Sequence, residues 1–84
     1  MKTVIWTKND CLFCQKAKEL LDLKDISYEE RLIGGGVWTR EQLLEAVPAA
    51  KTVPQIYLYG KYVGGYTELA KYYEDHGMES NEGF

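Results

Sequence analysis

The sequence predicts a small layered α/β domain with the element order β-α-β-α-β-β-α. Three observations support this prediction. Residues 4–6 are consecutive apolar residues, a pattern typical of a strand that is buried on both faces. An amphipathic stretch follows and ends near residue 23, as expected of a helix. Residues 56–63 have the pattern of a hairpin, so a helix-connected strand pair and a hairpin can share one sheet.

Length and charge exclude several classes of protein. With 84 residues the chain is expected to form one domain with one modest core. The net charge is −3 and lysine and arginine form no run, which argues against nucleic-acid binding as the main activity. No apolar stretch approaches the ~18 residues of a membrane span, and the first residues do not resemble a secretory signal. We therefore expect a cytoplasmic protein without a membrane partner.

The first half of the chain is expected to form two strands joined by a helix. Residues 3–7 are the first strand, and Asn9 or Asp10 is the candidate cap of the next helix. That helix is expected to begin at residue 12 or 13 and to end at residue 23. Residues 27–33 form the second strand, which we expect to be partly exposed because its apolar alternation is imperfect.

The second half is expected to form a short helix, a hairpin and a last helix. Three glycines at 34–36 break the chain, and the pair Thr39 and Gln42 is a capping-box pattern for a helix from residue 40 to 46 or 47. Residues 56–59 form a strand, residues 60–61 a turn, and residues 62–63 the returning strand. The last helix is expected over residues 67–76 with Gly77 as its C-cap, followed by a frayed tail at 78–84.

The two cysteines of the chain carry its clearest chemical signal. Cys11 follows the first strand and stands at the predicted helix N-terminus, where unpaired N–H groups and the helix dipole favour a thiolate. Cys14 lies one turn further on the same face, with Cα atoms roughly 5–6 Å apart. That separation suits a disulfide, so the spacing predicts a redox pair. The alternatives are half of a zinc site and two inert core thiols. Zinc normally has four ligands, and His76 is the one further ligand that the sequence suggests.

With these elements placed, the chain resembles the glutaredoxin family of the thioredoxin-like fold from residue 2 to about residue 76. Three blocks carry the resemblance: residues 3–6 leading to Cys-Leu-Phe-Cys at 11–14, Thr-Val-Pro-Gln-Ile at 52–56, and Gly-Gly-Tyr-Thr-Glu-Leu at 64–69. The resemblance implies a four-stranded mixed sheet flanked by three helices. It also implies thiol–disulfide exchange with glutathione as the reductant. The expected partners are disulfide-containing proteins, with ribonucleotide reductase as a candidate, and the protein itself is expected to be a monomer.

Roles for individual residues follow from the resemblance. Cys11 is implied as the nucleophile and Cys14 as the resolving thiol. Pro54 is implied to be cis, an ordinary trans turn proline being the alternative. The implied glutathione-binding residues are Lys8, Phe13, Thr52, Val53, Pro54, Tyr66, Thr67 and Glu68.

Some of these residues also have a purely structural interpretation. Lys8 can be a solvated loop charge, and Thr67 a helix cap with Tyr66 packing beside it. For Trp6 and Trp38 we favour packing over function. His76 is expected at the surface near a helix C-terminus.

Two residues between the cysteines depart from the family pattern. Leu12 and Phe13 stand where many members have Pro and Tyr. Members that lack this proline sometimes hold a [2Fe-2S] cluster between two subunits, so a cluster carrier is one alternative function. A redoxin that is reduced by thioredoxin reductase and serves ribonucleotide reductase is another. No site for a resident metal ion is expected.

Overall fold

A computed structural model describes residues 2–81, with side chains described for residues 2–74. It confirms the predicted order β-α-β-α-β-β-α. The strands are β1 (Val4–Lys8), β2 (Glu29–Ile33), β3 (Gln55–Leu58) and β4 (Lys61–Gly64). The helices are α1 (Leu12–Leu23), α2 (Arg40–Ala46) and α3 (Tyr66–Asn81).

The four strands form one mixed sheet in the order β2-β1-β3-β4. β1 pairs in parallel with β2 and antiparallel with β3, and β3 pairs antiparallel with β4. Because β1 is central, its side chains from Val4 to Thr7 are buried in succession on both faces of the sheet. The prediction of a strand buried on both faces is therefore confirmed.

A hydrophobic cluster lies on each face of the sheet. On one face α1 and α3 pack against the strands around Ile5, Ala17, Leu21, Ile56, Leu58 and Leu69. On the other face α2 covers a smaller cluster of Val4, Trp6, Leu43 and Val47. Trp6 meets Trp38 edge to face, with ring centroids 5.4 Å apart, so the packing interpretation of both tryptophans is confirmed.

The hairpin turn is one residue earlier than predicted. Leu58 pairs with Lys61, so the turn is Tyr59-Gly60 rather than residues 60–61. Both turn residues have positive φ, +50° and +86°, as a two-residue type I′ turn requires. A glycine at its second position fits this geometry. The first position of such turns is usually Asn, Asp or Gly, so the tyrosine there did not indicate a turn. The second strand likewise begins at Glu29, two residues later than predicted.

Helix boundaries agree with the prediction except at three places. The Thr39–Gln42 capping box is present and α2 ends at Ala46. Cys11, and not Asn9 or Asp10, is the N-cap of α1. α3 begins at Tyr66 and continues through Gly77 to Asn81, so a C-cap at Gly77 was wrong. Glycine inside a helix costs about 1 kcal/mol relative to alanine, which weakens a helix without ending it.

Two expectations fall at the limit of the described residues. Residues 82–84 of the predicted frayed tail and the side chain of His76 lie outside them. Within residues 2–81, no helix is both long and apolar enough to cross a lipid bilayer.

Candidate active site

The junction between β1 and α1 positions the two cysteines. The chain leaves the sheet at Lys8, turns through Asp10 at a φ of +55°, and starts α1 at Leu12. Cys11 and Cys14 are joined as a disulfide, with Cα atoms 5.2 Å apart. The disulfide geometry predicted from the spacing is therefore present.

The two cysteines differ in exposure. Cys11 is half-buried, whereas Cys14 is only 1% exposed. The backbone N–H of Cys14 donates a hydrogen bond to the Cys11 sulfur over 3.1 Å. The Cys11 sulfur thus caps the helix at the positive end of its dipole, and no acidic residue lies in the first turn of α1. After reduction, this environment favours negative charge on Cys11, which is also the more exposed of the two cysteines.

The loop between α2 and β3 faces the cysteines. The Val53–Pro54 peptide bond is cis, as the resemblance implied, so the trans alternative was wrong. The carbonyl oxygen of Val53 lies 3.9 Å from the Cys11 sulfur. The backbone of Val53 is therefore adjacent to the Cys11 sulfur.

Aromatic and apolar side chains form the rim of the site. The rings of Phe13 and Tyr66 stack with centroids 5.9 Å apart, and the Lys16 ammonium lies 5.5 Å from the Phe13 centroid. Leu12 and Phe13 remain largely exposed next to Cys11. The rim thus presents an apolar surface around the redox pair.

Seven of the eight predicted binding residues line one cavity of about 270 Å³. The cavity also includes Gly65, which the sequence analysis did not identify. The predicted residues it contains are Phe13, Thr52, Val53, Pro54, Tyr66, Thr67 and Glu68. A larger hollow of about 730 Å³ lies at the opposite end of β1, away from the cysteines.

The eighth predicted residue, Lys8, lines an adjacent groove of about 190 Å³ that shares Thr52 and Val53 with the cavity. Arg40 and Lys51 line it too, so each charged residue in its wall, among the side chains that the structure describes, is a cation. Among the described residues none of these three cations forms an ion pair. Sequence reasoning missed Arg40 and Lys51, although a cation in the first turn of α2 opposes the helix dipole and was a usable signal.

The first turn of α3 closes the other side of the cavity. The Gly65 N–H donates to Oε1 of Glu68 over 2.9 Å, so Gly65 and not Thr67 occupies the cap position. Thr67 lies inside the first turn, and the interpretation of Thr67 as a helix cap was wrong. The helix N-terminus and its attached carboxylate therefore both border the cavity.

No group of three or more potential metal ligands occurs among the side chains that the structure describes. Cys11 and Cys14 are bonded to each other rather than grouped with further ligands. The [2Fe-2S] alternative stays a prediction.

Comparison with known proteins identifies a family and two groups of relatives. The glutaredoxin family model matches residues 3–63. Glutaredoxin 3 of Escherichia coli is 37% identical over 65 residues, which are 77% of each chain. Hybrid peroxiredoxin hyPrx5 of Haemophilus influenzae is 42% identical over 69 residues, 82% of this chain but only 28% of that protein's length.

Solved structures agree with the sequence relatives. Glutaredoxin 1 from Francisella tularensis, complexed with cacodylate, has a TM-score of 0.74 and 28% identity over 93% of this chain and 96% of its own. A buckwheat glutaredoxin–glutathione complex has a TM-score of 0.72 and 25% identity over 87% of this chain and 68% of its own. Together with the Cys11–Cys14 pair, these matches show that the chain belongs to the glutaredoxin family of thiol–disulfide oxidoreductases, with the thioredoxin-like fold.

Proposed function

We propose that the protein uses glutathione to reduce protein disulfides and glutathione mixed disulfides through Cys11 and Cys14. One observation carries the proposal: the sulfur of the half-buried Cys11 lies 3.9 Å from the carbonyl oxygen of Val53, and Val53 lines a cavity together with six other predicted glutathione-binding residues. The glutaredoxin family generally uses glutathione as reductant, and the buckwheat relative was solved in complex with it. In this chain, seven of the eight residues that the resemblance implies for glutathione binding line that cavity.

The two ends of glutathione carry different charges, and the walls of the site match them. The γ-glutamyl end has a carboxylate and an ammonium group. In the proposal, N–H groups at the start of α3 meet that carboxylate at Thr67, and Glu68 meets the ammonium. One oxygen of Glu68 accepts from Gly65, so the ammonium would meet the other.

The glycyl end of glutathione carries a single carboxylate. Lys8 is proposed to attract it, and the groove that Lys8 shares with Arg40 and Lys51 extends from the same loop. Between the two ends, the backbone of Val53 would pair with the tripeptide like an added strand. The bound glutathione sulfur would then lie next to Cys11.

The proposed reaction with a glutathione mixed disulfide uses Cys11 alone. The Cys11 thiolate attacks the glutathione sulfur, the S–S bond of the substrate breaks, and the substrate leaves as a thiolate that takes up a proton. A second glutathione, as thiolate, attacks the glutathione sulfur bound to Cys11. Oxidised glutathione leaves and the Cys11 thiolate is regenerated.

The proposed reaction with a protein disulfide needs both cysteines. Cys11 forms a mixed disulfide with one substrate sulfur, and Cys14 then attacks Cys11 to release the reduced protein. The Cys11–Cys14 bond that results is the one present in the structure. Two glutathione molecules reduce it and are themselves oxidised to one glutathione disulfide.

The proposal extends to partners and location. Disulfide-containing proteins are the substrates, with ribonucleotide reductase as the candidate acceptor. A monomer in the cytoplasm suits a lone thiol pair that glutathione keeps reduced. Sedimentation of the reduced protein at a series of concentrations tests whether the protein is monomeric.

NADPH consumption coupled through glutathione reductase tests the function. With a glutathione mixed disulfide as substrate, wild type is expected to turn over and Cys11→Ser to lose activity. Properly folded wild type that turns over with thioredoxin reductase, and not with glutathione, would overturn the proposal. It would favour the redoxin alternative instead.

A further inference from the structure

Gln55 is a buried polar side chain directly after the cis proline. It is 7% exposed and is the first residue of β3. Its Nε2 donates to the carbonyl oxygen of Thr52 over 2.8 Å, and its Oε1 accepts a hydrogen bond from the Tyr62 hydroxyl. Both halves of the amide are therefore engaged, one on the loop and the other on β4.

The direction of these hydrogen bonds is fixed by chemistry. A backbone carbonyl only accepts, so the NH₂ half of Gln55 has to face Thr52. The carbonyl half then faces Tyr62, whose hydroxyl has to donate. Burial raises the pKa of Tyr62, and the negative charge of Glu68 and the nearby Tyr57 add to the effect. The phenol therefore keeps its proton.

This arrangement bridges the loop that faces the cysteines. Thr52 and Gln55 bracket Val53 and Pro54, so the Gln55 amide closes the loop across its base. The same loop contributes to the wall of both the cavity and the cationic groove, and the Val53 carbonyl oxygen lies 3.9 Å from the Cys11 sulfur. Tyr62 anchors the bridge to β4, which pairs with β3.

We propose that Gln55 is a positioning residue for glutathione. Its amide holds the Thr52–Pro54 backbone next to Cys11, and the hydrogen bond from Tyr62 fixes the amide in place. Gln55 does not itself line the cavity, so it acts through Thr52 and Val53. The inference rests on the proposed function.

Steady-state kinetics of two variants test the bridge. Gln55→Met keeps the length of the side chain but leaves the Thr52 carbonyl and the Tyr62 hydroxyl without this partner. We expect KM for the glutathione mixed disulfide to rise about tenfold with kcat within about twofold of wild type. Tyr62→Phe removes only the anchor, so KM should rise about threefold.

The pH dependence of KM in Gln55→Glu distinguishes a positioning role from a purely structural one. When protonated, the introduced carboxyl can donate to Thr52 and accept from Tyr62, which restores the bridge. When ionised, it faces the Thr52 carbonyl without a donor. The ratio of variant to wild-type KM should therefore approach one at low pH and rise several-fold as the carboxyl ionises.

Thr3→Val is the matched control. Thr3 is buried, and its hydroxyl accepts from the Tyr59 N–H over 3.0 Å at the opposite end of the sheet. The variant loses one buried hydrogen bond far from the loop, so its melting temperature should fall while KM stays within twofold. An equal rise in KM for Thr3→Val, or an unchanged KM for Gln55→Met, would overturn the inference.

A measurement without substrate separates this inference from the proposed function. The ¹⁵N order parameters of the Thr52 and Val53 amides should fall in Gln55→Met and stay unchanged in Thr3→Val. Wild type that lacks glutathione-dependent turnover would refute the proposed function. Unchanged order parameters in Gln55→Met would refute the bridge, whichever reductant the protein uses.

Discussion

Cys11 and Cys14 have the same chemistry but opposite surroundings. Cys11 caps α1 and is half-buried, whereas Cys14, one turn further along α1, is buried. An attacking thiolate needs access, and a resolving thiol needs only to reach its neighbour. The difference in burial therefore supports the division of roles that the resemblance implied.

Cys14→Ser is expected to separate the two reactions. Reduction of a glutathione mixed disulfide should persist, because Cys11 and glutathione suffice for it. Reduction of a protein disulfide should fall at least tenfold, because the mixed disulfide loses its resolving thiol. The coupled assay with both substrates measures the ratio of the two activities. An equal loss of both activities would contradict the roles assigned to Cys11 and Cys14. Alkylation of the reduced wild type should label Cys11 first.

Arg40 is expected to strengthen glutathione binding through charge. It borders the groove with Lys8 and Lys51, and none of the three forms an ion pair with the described side chains. Arg40→Glu should raise KM for the mixed disulfide by about fivefold at low salt, and the effect should shrink at high ionic strength. The control is Lys61→Glu, the same change of sign at an exposed position beside the hairpin turn, which should leave KM unchanged. Equal effects of both variants would indicate that KM depends on the net charge of the protein rather than on the charges of the groove.

Glu30 joins three elements through its carboxylate. It accepts from the buried Thr7 hydroxyl on β1 over 2.6 Å and from the Lys18 ammonium on α1 over 3.1 Å. Burial raises the pKa of Glu30, but the hydrogen bonds from Thr7 and Lys18 and the Lys18 charge outweigh it. The pKa of Glu30 therefore lies below its ordinary value. The ionised carboxylate thus ties β2 to the central strand and to the helix that carries the cysteines.

The stability that Glu30 contributes should depend on pH. A lowered pKa in the folded state stabilises the fold above the unfolded value of about 4.3, and this contribution is lost as pH falls through the folded pKa. Urea unfolding at pH 7 and pH 3 should show a smaller pH-dependent loss for Glu30→Gln than for wild type. Glu45→Gln, on exposed α2 surface, is the control and should follow wild type.

Local patterns in the sequence predicted the elements, but pairing between distant residues set their ends. The apolar run of β1 and the capping box of α2 are local, and both predictions were confirmed. The start of β2 at Glu29 depends on its pairing with Val4 of β1, which no local pattern determines.

In the candidate site, too, local features were predictable from the sequence and long-range contacts were not. The disulfide was predictable because three residues of helix fix the Cα separation. Arg40 was not identified, since only the folded chain brings it to the loop at Val53. The role of Gln55 was missed because its hydrogen bond with Tyr62 joins β3 to β4 and appears only in the folded chain.

All parts of the site converge at the end of β1 that leads into α1. The α1 N-terminus, the loop before β3 and the start of α3 come from three separate regions of the chain, and the sheet with its two clusters holds them together. In a domain of 84 residues each buried side chain is a large share of the core. Loss of core packing should therefore affect the site through global unfolding rather than through local change.

Leu21 and Leu23 on α1 test this dependence with one residue type. Leu21 is fully buried between α1, α3 and the sheet, whereas Leu23 is 79% exposed. Leu21→Ala should lower the free energy of unfolding by about 3 kcal/mol, since it removes buried methyl groups and leaves a cavity. In a domain of this size that loss lowers Tm by roughly 12–24 °C. Leu23→Ala should change Tm by only a few degrees. Because both positions are remote from the cavity, KM should stay at the wild-type value below the melting transition, and a changed KM in Leu21→Ala would show that core packing also shapes the site.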